Sequence, residues 1–128
     1  MNKQKIFIAC DTNKISKVKE IITQSKTQEI VIGYKFGLEF FYCKGGREFI
    51  SKLRGKKIFL DLKINDIGAT SSAAIRSLKD LKNINYMTVH ANAGEDTLKE
   101  VVKMANRINK KIKILAVTVL TSISDSSI

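Results

Sequence analysis

The 128-residue sequence contains no proline, no tryptophan, one histidine and only two cysteines. Cys10 and Cys43 lack the spacing of a metal motif and are too few for a secreted disulfide framework, so we interpret both as buried apolar side chains. No apolar stretch is long enough to cross a bilayer, and the one near the amino terminus, residues 6–10, is too short for a signal peptide. These absences predict a cytoplasmic protein with no membrane partner.

Acidic residues are also scarce. The sequence has 12 Asp and Glu residues against 23 Lys and Arg residues, which gives a formal net charge of +11. Nucleic-acid binding requires basic residues clustered on one face. Here the lysines are spread along every segment, without interleaved aromatic residues, in a composition typical of genome-wide base bias. We therefore expect no nucleic-acid partner and expect the positive charge to serve an anionic small substrate.

What the sequence does contain is a regular alternation of strand-like and helix-like segments in a composition suited to one domain, residues 1–128. The predicted strands cover residues 5–10, 29–36, 58–63, 84–90 and 111–119. The predicted helices contain Ile15, Val18 and Ile22, then Phe49, Ile50 and Leu53, then residues 70–81, and finally Leu98, Val101, Ala105 and Ile108. This order predicts an α/β fold with a parallel sheet and right-handed crossovers.

The segments between these elements are less informative. Residues 37–46 are predicted to form a loop, and residues 121–128 are polar without a helical pattern. Gly45 and Gly46 precede a helix, where free backbone amides could receive a phosphate. A glycine pair is more often a turn, which is the interpretation we favour.

Every predicted strand ends in a polar side chain, and parallel α/β folds bind ligands at that edge of the sheet. The polar exits are Asp11, Lys35, Asp61 with Lys63, His90 and Thr121. No G-x-G-x-x-G or P-loop is present, so a (β/α)8 TIM barrel is favoured over a doubly wound nucleotide fold. Such barrels need about 250 residues. The chain is therefore predicted to hold five strands of an incomplete barrel and to be a fragment.

Two opposite charges follow the apolar start of the third strand. Asp61 and Lys63 lie two residues apart, so they share one face of the strand. Isolated buried charges are costly and persist where they are paired or where function requires them. The spacing alone leaves open a structural ion pair and a functional pair.

A resemblance to a known family covers the same stretch and extends along the whole chain. Residues 59–67 read Phe-Leu-Asp-Leu-Lys-Ile-Asn-Asp-Ile and are followed by Thr70, which resembles the D-x-K-x-x-D-I-x-x-T signature of orotidine 5'-phosphate decarboxylases. Matching blocks lie at residues 9–11, 35–39, 89–91 and 115–122. Gly68-Ala69 stands where the family usually has Pro-Asn, and Ala93 replaces a usual glycine.

The resemblance implies cofactor-free and metal-free decarboxylation of orotidine 5'-phosphate to UMP. Lys63 would protonate C6 as the carboxylate departs beside Asp61, and Lys35 would hold Asp61 and the ribose. With Asp66 these residues form an alternating array of charges, which suits charge stabilisation in a water-poor pocket. His90 is interpreted as a structural residue.

The resemblance also implies the remaining contacts. Asp11 would bind a ribose hydroxyl and Thr121 would contact the pyrimidine. Asp66, Ile67 and Thr70 would reach the site of the neighbouring subunit in a homodimer. The phosphate-binding residues of the family follow later strands, beyond Ile128, so we expect the chain to be inactive alone.

Two alternatives remain. One is the sister group of sugar-phosphate decarboxylases such as 3-keto-gulonate 6-phosphate decarboxylase. The resemblance implies that this group shares D-x-K-x-x-D but has an acidic residue where this chain has Lys35. The other is a non-catalytic fragment that acts through interactions.

Overall fold

A computed structural model describes residues 3–127; Met1, Asn2 and Ile128, the last residue of the expected polar tail, lie outside the described residues. Five strands form one sheet in chain order, and every neighbouring pair is parallel. The strands are β1 (Lys5–Ala9), β2 (Val31–Phe36), β3 (Lys57–Ile64), β4 (Ile84–His90) and β5 (Lys113–Val117). In the described part of the chain β1 and β5 therefore each have one edge without a neighbouring strand.

Helices connect the strands. They are α1 (Ile15–Gln24), α2 (Leu38–Tyr42), α3 (Gly46–Ser51), α4 (Gly68–Arg76) and α5 (Glu95–Ile108), with short 3-10 turns at Ala91–Ala93 and Asp125–Ser127. α5 begins with Glu95 and Asp96, whose charges suit the positive end of the helix. None of these described helices is long and apolar enough to cross a membrane.

The prediction of a loop over residues 37–46 is wrong in part, because this stretch contains α2. Five residues are too few to show a helical period, but Phe40 is fully buried and its ring centroid lies 5.0 Å from that of Phe36. The turn at the glycine pair is confirmed. Gly45 has φ of 78°, and a Cβ on Gly46 would lie 1.8 Å from the carbonyl oxygen of Phe40.

The helix predicted over residues 70–81 is also different in extent, since α4 begins at Gly68 and ends at Arg76. Leu78 and Leu81 remain buried, but Leu78 lies in the turn that follows the helix and Leu81 directly after that turn. Their apolar spacing reflects burial in the hydrophobic core and not a continuation of the helix. The spacing therefore located the core correctly and the helix end incorrectly.

The two faces of the sheet are different. Alternate strand residues such as Ile58, Leu60 and Met87 are buried in one cluster with helix residues such as Val18 and Val101. The opposite face carries an aromatic cluster in which the rings of Phe7, Phe59 and Tyr86 lie 5.5 to 5.8 Å apart. In a closed barrel this second face is the interior.

Candidate active site

Three charged side chains meet beyond the aromatic cluster, towards the carboxyl ends of β2 and β3. The Lys63 Nζ atom donates a hydrogen bond of 2.8 Å to Asp61 Oδ2. The Lys35 Nζ atom lies 3.8 Å from the same oxygen. Lys35 reaches it because β2 pairs with β3 in a register that places Lys35 beside Phe59, two residues before Asp61. The structure therefore brings the ammonium groups of Lys35 and Lys63 together at the carboxylate of Asp61.

Thr88 completes this cluster and was not among the residues that we predicted from the sequence. Its hydroxyl donates a 2.8 Å hydrogen bond to Asp61 Oδ1 and accepts one of 2.9 Å from the backbone N–H of Lys63. Thr88 is 5% exposed and lies in β4. Alternation along β4 places Tyr86, Thr88 and His90 on one face, which is the signal that could have identified it.

The backbone of β3 is distorted where these groups meet. Between Leu60 and Ile64 the strand advances four residues while β4 advances only from Met87 to Val89. Among residues 3–127, Lys63 is the one non-glycine residue with positive φ, at 47°. Such a conformation costs on the order of 1–3 kcal/mol and occurs preferentially at functional sites. The strict alternation that we expected for β3 therefore does not continue through Lys63, and the hydrogen bond to Thr88 holds the distorted backbone.

Asp61 remains ionised in this environment. Burial alone would raise its pKa, but hydrogen bonds from Lys63 and Thr88 and the charges of Lys63 and Lys35 lower the pKa below its usual value. The side chain of Asp61 is 16% exposed, so the paired charges are partly shielded from water. Two ammonium groups thus share one carboxylate, which leaves an excess of one positive charge to face an anionic ligand.

The other predicted residues lie nearby but outside this cluster. Asp66 is exposed, and its Oδ1 accepts a 2.7 Å hydrogen bond from the backbone N–H of Ile67. Asp66 and Thr70 line a cavity of about 370 Å³ that also contains Lys63 and the 76%-exposed Tyr42. Within residues 3–127 no hydrogen bond or ion pair joins the Asp66 side chain to Lys35, Asp61 or Lys63.

Asp11 and Thr121 follow β1 and β5 and are both exposed. The backbone N–H of Cys10 bonds to the carbonyl oxygen of Lys35, which places Asp11 beside the end of β2. In the described part of the chain neither side chain forms a hydrogen bond or an ion pair with the charged cluster. No group of three or more His, Cys, Asp or Glu residues there is arranged to hold a metal ion.

Comparison with known proteins assigns the family. A family model described as orotidine 5'-phosphate decarboxylase / HUMPS matches residues 4–128. The chain belongs to this family. The orotidine 5'-phosphate decarboxylase of Oenococcus oeni is 40% identical over 126 residues, which are 97% of this chain and 52% of that protein. The Nostoc sp. enzyme is 39% identical over 130 residues, with 97% and 53% covered. The chain spans about half the length of these curated relatives.

Solved structures of the family agree with the fold. The orotidine 5'-phosphate decarboxylase of Lactobacillus acidophilus is 32% identical and superimposes with a TM-score of 0.76 over 96% of this chain and 56% of that one. The Methanocaldococcus jannaschii enzyme complexed with the inhibitor BMP is 28% identical, with a TM-score of 0.71 over 88% and 52%. The prediction of an α/β fold with five strands of a (β/α)8 barrel is confirmed.

Proposed function

We propose that this chain supplies the decarboxylation residues of an orotidine 5'-phosphate decarboxylase, which converts orotidine 5'-phosphate to UMP and CO2 without a cofactor. The observation that carries the proposal is the cluster of Lys35, Asp61 and Lys63, ordered by Thr88. Family membership supports the reaction class, and the excess positive charge suits an anionic nucleotide. A cytoplasmic location belongs to the same proposal.

The proposed chemistry follows from these groups. When the bond between C6 and the carboxylate breaks, its electron pair remains on C6 and CO2 leaves. The ammonium of Lys63 stabilises that developing charge and then donates a proton to C6, which forms UMP. The carboxylate of Asp61 fixes the Lys63 ammonium from 2.8 Å, and the Lys35 ammonium lies 3.8 Å from the same oxygen of Asp61. The charges are in place before the reaction, so little reorganisation is needed in the transition state.

Thr88 is a positioning residue in this proposal. Its hydroxyl bonds both to the Asp61 carboxylate and to the backbone of Lys63, so one side chain fixes the two reacting residues relative to each other. Lys63 has a left-handed backbone conformation at the point where the regular pairing of β3 with β4 is interrupted. Small displacements of reacting groups cost large factors in rate, so this support is expected to affect turnover.

Asp66, Ile67 and Thr70 are proposed to contact substrate in the neighbouring subunit of a homodimer. Ile67 is 69% exposed, and Leu38 and Tyr42 of α2 are exposed as well. Exposed apolar side chains of this size commonly mark interaction surfaces. Asp11 is proposed to bind a ribose hydroxyl and Thr121 to contact the pyrimidine.

The chain alone is expected to be inactive. Each of the edge strands β1 and β5 lacks a neighbour on one side in the described part of the chain, and Ile6 and Leu115 on these strands are exposed. Unpaired apolar edges favour aggregation or pairing with another chain. Contacts with the phosphate, proposed to lie beyond the chain, also supply binding energy that is used at the reacting centre.

A chimera tests the proposal. Residues 1–128 are fused to the carboxyl-terminal half of the Oenococcus oeni relative to give a protein that we call the completed barrel. We expect it to form UMP from orotidine 5'-phosphate, to bind the inhibitor BMP, and to leave 3-keto-gulonate 6-phosphate unchanged. The isolated chain serves as the control and should show no turnover.

Comparable turnover of the sugar phosphate would move the protein to the sister group, whose motif is shared around Asp61 and Lys63. A folded completed barrel without either activity would favour the non-catalytic alternative. Family-like turnover by residues 1–128 as a monomer would show that further strands are dispensable.

A further inference from the structure

Two adjoining grooves at the amino-terminal edge of the sheet are lined by basic side chains. The first, of about 230 Å³, lies where β3 and β4 begin, and the second, of about 610 Å³, adjoins it through the shared Lys82. We call their basic lining the basic surface. It consists of Arg54, Lys56, Lys57, Lys79, Lys82, Arg107 and Lys111.

The charges of the basic surface are not balanced within the described chain. Among residues 3–127 none of its seven side chains forms a salt bridge, since the six salt bridges present there involve other cations. Asp80 is the one carboxylate that lines either groove. Its two oxygens accept hydrogen bonds of 3.0 and 2.7 Å from Arg47, and the charge of Lys82 adds a weaker electrostatic interaction with Asp80.

A lysine-rich composition alone does not explain this arrangement. The groove between α1 and α3 combines Lys19 and Lys52 with Glu48, and the surface of α5 combines Lys99 with Glu95. On those surfaces salt bridges join Lys52 to Glu48 and Lys99 to Glu95. The even spread of lysine along the sequence, on which we expected no nucleic-acid partner, therefore becomes uneven in the fold.

We propose that the basic surface binds the phosphodiester backbone of a single-stranded nucleic acid. Neutralisation of several phosphates by lysine and arginine supplies affinity without reading sequence. Asn85 lines the same groove and provides an amide group for sugar or phosphate oxygens. The amide nitrogens of Asn83 and Asn109 already donate to backbone carbonyl oxygens, and each keeps one further N–H for such a contact. No aromatic residue lines either groove, so the proposed affinity rests on contacts with phosphate and sugar and not on base stacking.

The lining favours this partner over a membrane. A membrane-binding surface combines basic residues with exposed apolar side chains that enter the headgroup region. The exposed large apolar side chains of the described chain lie elsewhere, at Ile6, Leu38, Tyr42, Ile67, Val102, Leu115, Val119 and Ile123. The basic surface also lies at the opposite end of the strands from Asp61 and Lys63, so its function does not depend on the proposed decarboxylation.

The test measures fluorescence anisotropy of labelled oligouridine and oligothymidine of roughly 20 nucleotides over a salt series. At physiological salt we expect dissociation constants of about 10⁻⁴ to 10⁻⁶ M. The triple variant Lys56→Gln, Lys82→Gln, Lys111→Gln should bind about tenfold more weakly or worse. The slope of log K against log salt should fall by about 2, near 0.7 for each phosphate that the variant no longer neutralises.

The matched control is Lys19→Gln, Lys26→Gln, Lys103→Gln, which removes the same net charge from exposed positions outside the basic surface. Circular dichroism checks that both triple variants keep the fold. The control should retain wild-type affinity within about threefold, because distant solvated charges are largely screened. Equal weakening by the two triples would overturn the proposal, and so would the absence of oligonucleotide binding by the wild type.

Two further arms distinguish possible sources of phosphate. Equal affinity for the RNA and DNA probes supports recognition of phosphates alone, and tighter binding of RNA supports an added contact of the asparagine amides with ribose. Vesicles containing anionic phospholipid provide the third probe. Binding of vesicles that depends on Lys56, Lys82 and Lys111, without oligonucleotide binding, would assign the surface to membranes and overturn the proposal.

Discussion

The two edges of the sheet hold charge in different ways. At the carboxyl-terminal edge Asp61 keeps Lys63 within 2.8 Å and Lys35 within 3.8 Å, and a threonine fixes the carboxylate from β4. At the amino-terminal edge seven basic side chains line two grooves, and within residues 3–127 none of them has an ion-pair partner. The first arrangement is defined by geometry, whereas the second is defined by the number of like charges.

This difference predicts different sensitivity to substitution. Removing one partner from a partly buried, hydrogen-bonded cluster leaves the others unsatisfied, which costs considerably more than the pair itself contributes. A solvated lysine has no such partner, and its removal usually changes stability by no more than about 0.5 kcal/mol. Single substitutions should therefore disrupt the carboxyl-terminal edge, while the amino-terminal edge should respond in small increments as charges are removed.

The largest effect is expected from Lys63→Ala in the completed barrel. Loss of the acid that protonates C6 should lower turnover by at least about 10²- to 10⁴-fold. The matched control is Lys57→Ala, which removes a lysine from the other end of the same strand. It should leave UMP formation within about twofold of wild type. Robust turnover by the folded Lys63→Ala variant would disprove the role assigned to Lys63.

Thr88→Val should produce the next largest effect. Valine has a similar shape but leaves Asp61 Oδ1 and the Lys63 N–H without the partner they have now. We expect the free energy of unfolding to fall by about 1–3 kcal/mol, measured by urea titration. In the completed barrel we also expect kcat to fall more than the affinity for BMP.

The control for this experiment is Thr88→Ser, which keeps the hydroxyl and should restore most of the lost turnover. If serine and valine had equal effects on kcat, the methyl group and not the hydroxyl would be responsible. Thr88 would then be a packing residue rather than a positioning residue.

The sequence predicted the paired edge better than the unpaired one. Asp61 and Lys63 are close in the chain, and strand periodicity predicted that they would meet, although β3 departs from regular alternation at Lys63. Lys35 was predicted at the same edge as a polar strand exit, and the resemblance added its role. Thr88 was missed because a threonine within a strand is common, and because its bond to the backbone of Lys63 depends on an irregularity of β3 that sequence periodicity does not show. α2 was missed because five residues are shorter than the window in which a helical period is visible.

The basic surface was not predicted, because its residues do not form a cluster along the chain. Its residues come from three separate segments, 54–57, 79–82 and 107–111, which meet because β3, β4 and β5 are adjacent and parallel. Each segment precedes a strand, so lysines before successive strands of a parallel sheet were the available signal. Alternation of strands and helices is sufficient to use that signal, provided that the chain order of the strands is also their order in the sheet.

The pH dependence of stability should separate the carboxylates at the two edges. The folded-state pKa of Asp61 is lowered, so its contribution is complete above the unfolded value of about 3.9 and is lost as pH falls through the lower folded value. Asp61→Asn should therefore lose less stability than wild type as the pH falls below about 4. Urea titrations at a series of pH values measure this difference.

Asp80→Asn is the comparison for the other edge, because hydrogen bonds from Arg47 also lower the pKa of Asp80. The sign of the effect is the same, but Asp80 is exposed and its interactions are screened by water. Its effect on the acid limb should be clearly smaller than that of Asp61→Asn. A larger effect of Asp80 would contradict the view that the carboxyl-terminal edge holds the more strongly coupled charges.

The smallest effect expected concerns Asp80 and the affinity of the basic surface. Asp80→Asn should cost at most about 1 kcal/mol of stability, because its pair with Arg47 is exposed. The same substitution removes the one carboxylate that lines the second groove and leaves the Arg47 guanidinium with the carbonyl oxygen of Ser77 but without its ionic partner. We therefore expect oligouridine to bind about two- to threefold more tightly at low salt, an advantage that should disappear as salt screens the added charge.

The control is Glu48→Gln, which removes an exposed carboxylate paired with Lys52 in the groove between α1 and α3 and should not alter oligouridine affinity. Equal tightening by both variants would indicate a response to net charge alone and would contradict binding at the basic surface.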